Sequence, residues 1–399
     1  MTKDAVMGYG TVGAGVVEVL TMNKEVITRR VGAPIEVTHI LDLRDFPGTD
    51  IEHLVTHDFN DILNDDQVDI VVETMGGLKP AYDFSKQALL AGKHVCTSNK
   101  ELVAEHGVEL CQIAKDNNVN YMFEASCGGG IPIIRSLNNA LWPEDLEMVS
   151  GILNGTTNYI LTSMYNDNKD FNVALKEAQE KGYAELHPEA DIEGHDAQRK
   201  IAILSSLAYG KHIDYKDVPT QGITEIDTTD IQYAKAMDMK IKLLATSKKV
   251  DQGVWAMVAP MLVGKENQLS VVDDVMNAVF VKGNALGDAM FYGSGAGSLP
   301  TASAVVADVI DCARHLDETV HIEYVADPLT LMATDDIVNR FFVRTTASQS
   351  QVQDVFGDVQ FVVLDGKDEC GFTTKELSES KFAQLCQQLD TVIKFIRMA

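Results

Sequence analysis

The sequence predicts an α/β fold in three parts: a doubly wound parallel sheet, a mixed α/β part, and a small C-terminal βαββαβ module. Three observations carry this. Short apolar runs alternate with helix-periodic segments from Ala5 to Glu124, the rhythm of βαβ units. Val68–Glu73 (VDIVVE) reads as one apolar run, as parallel strands buried on both faces do. The alternation stops after a glycine run ending at Gly130 and returns in shorter form over about 60 C-terminal residues.

In chain order, Ala5–Gly8 reads as the first strand, Gly8–Gly13 as a loop, and the residues to about Asn23 as a helix. Strands follow at Ile35–Asp42, Val68–Glu73, His94–Thr97 and Asn120–Glu124, with helices at Ala81–Ala91 and Glu101–Asp116. From Pro132 a helix leads to the strand Glu147–Leu153, the turn Asn154-Gly155-Thr156 and another helix. A further helix follows Gly194, and strands are expected at Lys242–Val250, Val254–Val263 and Val275–Lys282. Gly293–Gly297 (GSGAG) then opens a helix at Pro300–Arg314 that returns to the first domain. The tail reads as strand Arg340–Thr345, helix Gln349–Phe356, strands Val359–Leu364 and Gly371–Thr374, helix Lys381–Leu389 and strand Val392–Ile396. That order is a ferredoxin-like module. Domains are expected at 1–130 (with a return helix at 300–320), 131–299 and 337–399.

With 399 residues and a formal charge of −26, the chain repels nucleic acid and anionic membrane, so neither is an expected partner. An anionic cofactor must then be gripped locally, by backbone amides and a few placed cations. Six cysteines lie scattered without C-x-x-C spacing, which reads as reduced thiols in a cytoplasmic protein. Neither a leader peptide nor an apolar run of membrane-spanning length is expected.

Gly8-Tyr9-Gly10-Thr11-Val12-Gly13 stands between a strand and a helix. Glycines there allow a tight turn and a close approach to a pyrophosphate, which the helix N-terminus binds; this is the dinucleotide loop of a Rossmann-type domain. Asp42 ends the second strand, where an acid bonds the ribose of NAD, and Arg44, two residues on, suits the 2′-phosphate of NADP. With both present, the choice of coenzyme stays open. Thr97-Ser98-Asn99-Lys100 leaves the strand His94–Thr97 at the carboxyl edge of the sheet, where such folds bind ligands.

Gly182–Lys200 (GYAELHPEADIEGHDAQRK) is the most informative segment. It carries Glu185, Glu189, Asp191 and Asp196 in a loop that runs into a helix, with Asp196 and Lys200 four apart on one face. A cationic proton donor beside acids able to hold an amine is the chemistry this pattern offers; a plain solvated ion pair is the bland alternative. In Glu124–Pro132, three glycines follow a carboxylate and expose carbonyls suited to a hard cation, or form only a hinge. Cys127 has no obvious histidine partner for a nucleophile, and His187 and His195 read as loop residues.

These motifs, with Gly151–Tyr159 (GILNGTTNY) and Gly293–Thr301, occur in the order found in homoserine dehydrogenases, which the chain resembles from residue 1 to about 320. The resemblance implies NAD(P)-dependent reduction of L-aspartate 4-semialdehyde to L-homoserine, with Lys200 as acid/base and Lys100 as its partner. Glu185, Asp191, Asp196, Tyr183, Gly155 and Thr156 would bind substrate. Gly8, Gly10, Thr11, Val12, Gly13, Asp42, Arg44, Ser98, Lys100 and Gly297 would meet the cofactor. A sodium ion would map to the Glu124 carboxylate and the carbonyls of Cys127, Gly129 and Ile131. The family is commonly dimeric or tetrameric, so a homo-oligomer is expected.

A non-catalytic sensor and a related amino-acid dehydrogenase are the rival readings; two placed lysines speak against the sensor. The tail resembles the ACT modules of some family members, yet its turn Arg344–Ser350 lacks the proline and glycine of an effector-binding turn. At about 60 residues its core is expected to be thin, so it should dock on a partner and serve assembly.

Overall fold

Six strands form the first sheet: β1 (Thr2–Met7), β2 (Ile35–Leu41), β3 (Val55–Thr56), β4 (Ile70–Glu73), β5 (His94–Thr97) and β6 (Tyr121–Met122). Their order is β3-β2-β1-β4-β5-β6 and every ladder is parallel. The crossovers are α1 (Thr11–Met22), α2 (Lys24–Val31), α3 (Phe59–Leu63), α4 (Ala81–Leu90) and α5 (Lys100–Asp116). Strand order reverses between β1 and β4, so the loops leaving their carboxyl ends part and open a crevice, the usual ligand position in such sheets. The chain is described here by a computed structural model over residues 1–389 and 391–399, in two compact units. The first comprises Met1–Asp145, Ala202–Tyr215 and Phe291–Leu329; the second, Leu146–Ile201, Lys216–Met290 and Thr330–Ala399.

One core of the first unit joins Val6, Val72, Cys96 and Met122 from the sheet to Val16 of α1 and to Ala302, Val305 and Val309 of the later helix α11 (Ser298–Arg314). Burying a side chain of this size stabilises by about 1.5–3 kcal/mol, so the return helix belongs to the sheet it covers.

The second sheet has ten strands. Those outside the tail are β7 (Leu146–Ile152), β8 (Met239–Val250), β9 (Gly253–Gly264), β10 (Met276–Gly283) and β11 (Gly287–Ser294). Gly293 and Ser294, expected to open the helix, therefore end a strand. The helices are α6 (Gly155–Asp167), α7 (Phe171–Glu180), α8 (Glu189–Ile192), α9 (His195–Tyr209) and α10 (Thr228–Ala236). His195 is thus the first residue of α9 rather than a loop residue. The helix expected from Pro132 is short, starting at Ile134 and Arg135 and passing into a π-helical turn at Ser136–Ala140.

The tail contributes β12 (Val338–Thr345), α12 (Gln349–Phe356), β13 (Gln360–Val362), β14 (Cys370–Thr373), β15 (Leu377–Ser378), α13 (Glu379–Leu389) and β16 (Val392–Met398). Strand order along the whole sheet is β11-β10-β7-β8-β9-β16-β12-β14-β13, with β15 beside β12. Phe341 stacks on Phe382 at 3.7 Å between centroids, within a core that includes Val343, Val352 and Phe372. Within its own chain the tail docks through β16, which pairs in parallel with β9, Arg397 opposite Met261 and Met398 opposite Leu262. Nothing in the tail's own hydrophobic pattern names the strand that its edge will meet.

Candidate active site

β1 delivers the chain into Gly8, whose φ of +91° suits glycine, and a Cβ at Gly13 would overlap the Gly8 carbonyl. The loop can turn this tightly only without side chains at both positions. Gly10 caps α1 without a side-chain bond, so the first-turn N–H groups of Thr11, Val12 and Gly13 face outward, ready for an anion. Asp42 accepts from Tyr9 N at 2.8 Å and from Arg44 Nε at 2.9 Å, while Arg44 Nη2 donates to the Tyr9 carbonyl at 2.8 Å. Hydrogen bonding by Arg44 holds the Asp42 carboxyl well below the usual range despite some burial. A cavity of about 560 Å³ lies beside them, lined by Gly8, Gly10, Asp42, Arg44 and by Thr74, Met75, Gly76 and Phe84. The last four were not singled out from sequence. Their signal was position: they follow the switch-point strand β4 and open the next crossover.

At the end of β5, Thr97 donates its hydroxyl to Glu73 at 2.6 Å, and Met75 N donates to the same carboxylate at 2.8 Å. Glu73 is fully buried, and burial pushes its carboxyl up. Ser98 N donates to the Glu73 carbonyl. Asn99 caps α5 by accepting from Leu102 N, which makes Lys100 the first helical residue. Ser98 and Lys100 thus stand at the carboxyl edge of the sheet.

Glu124, also buried, accepts from Ile134 N at 2.8 Å and Arg135 N at 2.7 Å. Its own N–H donates to Asp308, which Arg135 Nη2 also reaches at 2.8 Å. Burial pushes both carboxyls upward. Cys127 and Ile131 are buried, Ile131 N donates to the Gly128 carbonyl, and Gly130 N donates to Ser294 O. Gly129 follows with a left-handed φ of +55°, and Gly297 is the N-cap of α11.

In the second unit the acidic loop folds back on the turn after β7. Lys200 Nζ donates to Asp196 Oδ2 and to the Leu153 carbonyl, both at 2.7 Å. Lys200 is 8% exposed and Asp196 3%, so this is no solvated surface pair. Asn154 Nδ2 donates to Asp191 Oδ1 at 2.7 Å and to Asp196 Oδ2 at 2.9 Å. Burial raises the Asp191 carboxyl and the neighbouring Asp196 adds to it, against the bond from Asn154. Thr156 Oγ1 donates to the Tyr183 carbonyl at 2.7 Å, and the Tyr183 ring packs on Tyr159. Gly155 leads α6 against the Val275 carbonyl. Glu185 is exposed, and its carbonyl accepts from Gln179 Nε2 at 3.0 Å. The structure therefore gathers Asp191, Asp196, Lys200, Gly155, Thr156 and Tyr183 round Asn154, and leaves the Glu185 carboxylate outside that group. A lysine ammonium held by one carboxylate can protonate one end of a small substrate, while a second carboxylate nearby holds an amine at the other.

Known proteins resemble both units. Residues 132–310 match the family model described as homoserine dehydrogenase, and residues 8–124 the one described as homoserine dehydrogenase, NAD binding domain. A homoserine dehydrogenase of Neisseria gonorrhoeae is 40% identical over 352 residues, covering 86% of this chain and 81% of the relative. The crystal structure of a homoserine dehydrogenase from Thiobacillus denitrificans superposes with a TM-score of 0.92 at 34% identity, covering 100% of this chain and 98% of that one. A hyperthermophilic archaeal homoserine dehydrogenase in complex with NADPH matches with a TM-score of 0.66 at 27% identity, over 78% of this chain and 97% of that one.

Proposed function

We propose a catalytic reading from one premise: the chain belongs to the homoserine dehydrogenases. Its reaction is the family's, the reversible NAD(P)-dependent reduction of L-aspartate 4-semialdehyde to L-homoserine. Lys200 protonates the aldehyde oxygen during reduction and takes the proton back in the reverse direction. A cation is most effective there because negative charge develops on that oxygen. Asp196 and the Leu153 carbonyl orient the ammonium. Asp191 holds the substrate ammonium, with Gly155, Thr156 and Tyr183 beside it, and so fixes its reach; Glu185, exposed in this structure, joins it by turning inward when substrate binds. Lys100 assists from the end of β5. When bound, the nicotinamide supplies or accepts the hydride. The N–H groups of Thr11 to Gly13 hold the pyrophosphate; Asp42 and Arg44 meet the ribose end, and Ser98 and Gly297 the remainder. NADPH in the archaeal relative supports the cofactor class.

A sodium ion at Glu124 and the carbonyls of Cys127, Gly129 and Ile131 is supported by charge, because the buried acids Glu124 and Asp308 outnumber the guanidinium of Arg135. The tail's order β16-β12-β14-β13 with two helices supports an ACT-like module. We take the enzyme to be a cytoplasmic homo-oligomer; among the described residues no helix is long and apolar enough to cross a membrane.

The observation that carries the lysine's role is its burial on Asp196 beside Asp191. Lys200→Ala is expected to lower kcat by about 10² or more, as loss of a general acid/base does, and Lys100→Ala similarly. Homoserine-dependent NAD(P) reduction at unchanged kcat would refute the assignment.

A further inference from the structure

We propose that Asn154 is a positioning residue for this reaction. One face of its amide caps a helix, while the other holds the Asp191 and Asp196 carboxylates apart, so that one keeps Lys200 and the other meets the substrate ammonium. The inference rests on the reading of Lys200 and Asp191 above.

Asn154 is 6% exposed and sits where β7 gives way to α6. Its Oδ1 accepts from Thr157 N at 2.9 Å and from the Thr157 hydroxyl at 3.1 Å, an N-cap. Both protons of its Nδ2 go to carboxylates, at 2.7 Å to Asp191 and 2.9 Å to Asp196. The amide cannot be turned the other way. Ionised carboxylates only accept, and the Thr157 N–H only donates. Three separate pieces of chain therefore meet on one side chain: the start of α6, the end of α8 and the start of α9.

Two carboxylates side by side, Asp196 buried and Asp191 half-buried, resist joint ionisation, and one of such a pair is pushed toward taking up a proton. Here Asp196 Oδ2 receives Lys200 at 2.7 Å as well as the amide, so the cost falls on Asp191, whose carboxyl burial and Asp196 already raise. The amide proton that Asn154 gives to Asp191 opposes this and aims the carboxylate. An apolar or shorter residue at position 154 would leave Asp191 without that donor.

A simple cap makes a different prediction. Serine and aspartate cap helices about as well as asparagine, so Asn154→Ser and Asn154→Asp keep the helix start while removing both donated bonds. Expected for Asn154→Ser is a fall in kcat/KM for homoserine of about 10- to 10²-fold, the size of a lost hydrogen bond to a charged group. The KM for the dinucleotide and the thermal midpoint should stay close to those of the parent. Asn154→Asp should in addition move the acid limb of the kcat/KM profile to higher pH, because a third carboxylate raises Asp191 further. Normal kcat/KM with an unshifted limb in both variants, or equal losses for both substrates with a lowered midpoint, would reduce Asn154 to a cap and overturn the proposal. Asp191→Asn and Lys200→Ala are the controls: if those leave the rate intact, the underlying site reading is at fault instead. If they are impaired while both Asn154 variants are normal, only the positioning role falls.

Discussion

Two helices of the second unit begin in acids, and they use them in opposite ways. At α10, Asp227 and Asp230 form a reciprocal capping box, each side chain accepting the other's N–H at 2.9 Å. Arg344 of β12 donates to Asp227 at 2.9 Å, to Asp230 at 2.6 Å and to Glu369 at 3.0 Å, and Lys394 of β16 reaches Asp230 at 2.9 Å. At the start of α9, Asp191 and Asp196 meet Lys200 and a neutral amide. Burial opposes ionisation in both places. Around Asp227 the Asp230 N–H, Arg344 and Lys394 outweigh it and the carboxyl lies below its ordinary value; around Asp191 burial wins and the carboxyl lies above it. The first cluster is complete and latches the tail. In the second, an acid still gains from a cation, which on the proposed reading the substrate brings.

The largest effect expected from this contrast is on stability. Arg344→Ala takes the guanidinium from the buried Asp230 and from the part-exposed Asp227 and Glu369. It should cost at most about 3–5 kcal/mol, the range for breaking a buried ion pair, since Lys394 still reaches Asp230. This is read from urea denaturation, while the homoserine KM of the folded fraction is unchanged. A loss confined to activity would put a ligand site at the tail and break the comparison. Lys200→Ala also takes a cation from the buried Asp196 carboxylate and should lower the urea midpoint, but unlike Arg344→Ala it should in addition lower kcat of the folded enzyme by about 10².

Acid should separate the two clusters next. Because the Asp191 carboxyl is raised, it loses its charge at a higher pH than an ordinary carboxylate, so homoserine KM should climb early as pH falls. The depressed Asp227 works the other way: its contribution to the latch is full above its ordinary value of 3.8 and is lost only as pH falls through the lower folded value. Hydrogen exchange at β16 should thus stay slow where KM has already risen. Simultaneous change would mean that one acid group governs both.

Smaller effects belong to the coenzyme and the effector. Arg44 is spent on Asp42 and Tyr9 as well as open to ligand, so NAD and NADP should differ by less than about 10²-fold, roughly 2.7 kcal/mol, by isothermal titration. Arg44→Ala should shift the ratio toward NAD. Least of all, millimolar threonine should hardly slow the enzyme, because the turn after Arg344 has no glycine or proline and Arg344 is engaged with α10; half-inhibition by threonine would refute this.

Local pattern predicted well wherever one element decides its own conformation. His94–Thr97 and Gln349–Phe356 fall on strand and helix as read, because a short run buried on both faces between two helical segments, or a capping box (Ser348 with Gln351), is written in consecutive residues. Short elements such as β3 and α3 escaped, being too brief for any period to show. β11 escaped because its half-exposed alternation ends in glycines that resemble a loop. In the site, Asp196 and Lys200 were legible through their spacing of four, whereas Asn154 was read only as a turn residue, since its partners lie 37 and 42 positions away.

By itself, then, the sequence determined the parallel sheet with its dinucleotide loop, the lysine and acids of the loop before α9, and the βαββαβ order of the tail. Periodicity, glycine placement and local spacing act over a few residues, and these features need nothing more. Only the tertiary structure decided that the Asp196–Lys200 pair is buried, that one asparagine serves both acids, and that the tail extends its own chain's sheet beside β9. Each depends on which distant segments exclude water from a charge or offer a free strand edge, and that is a property of packing that no window of sequence contains.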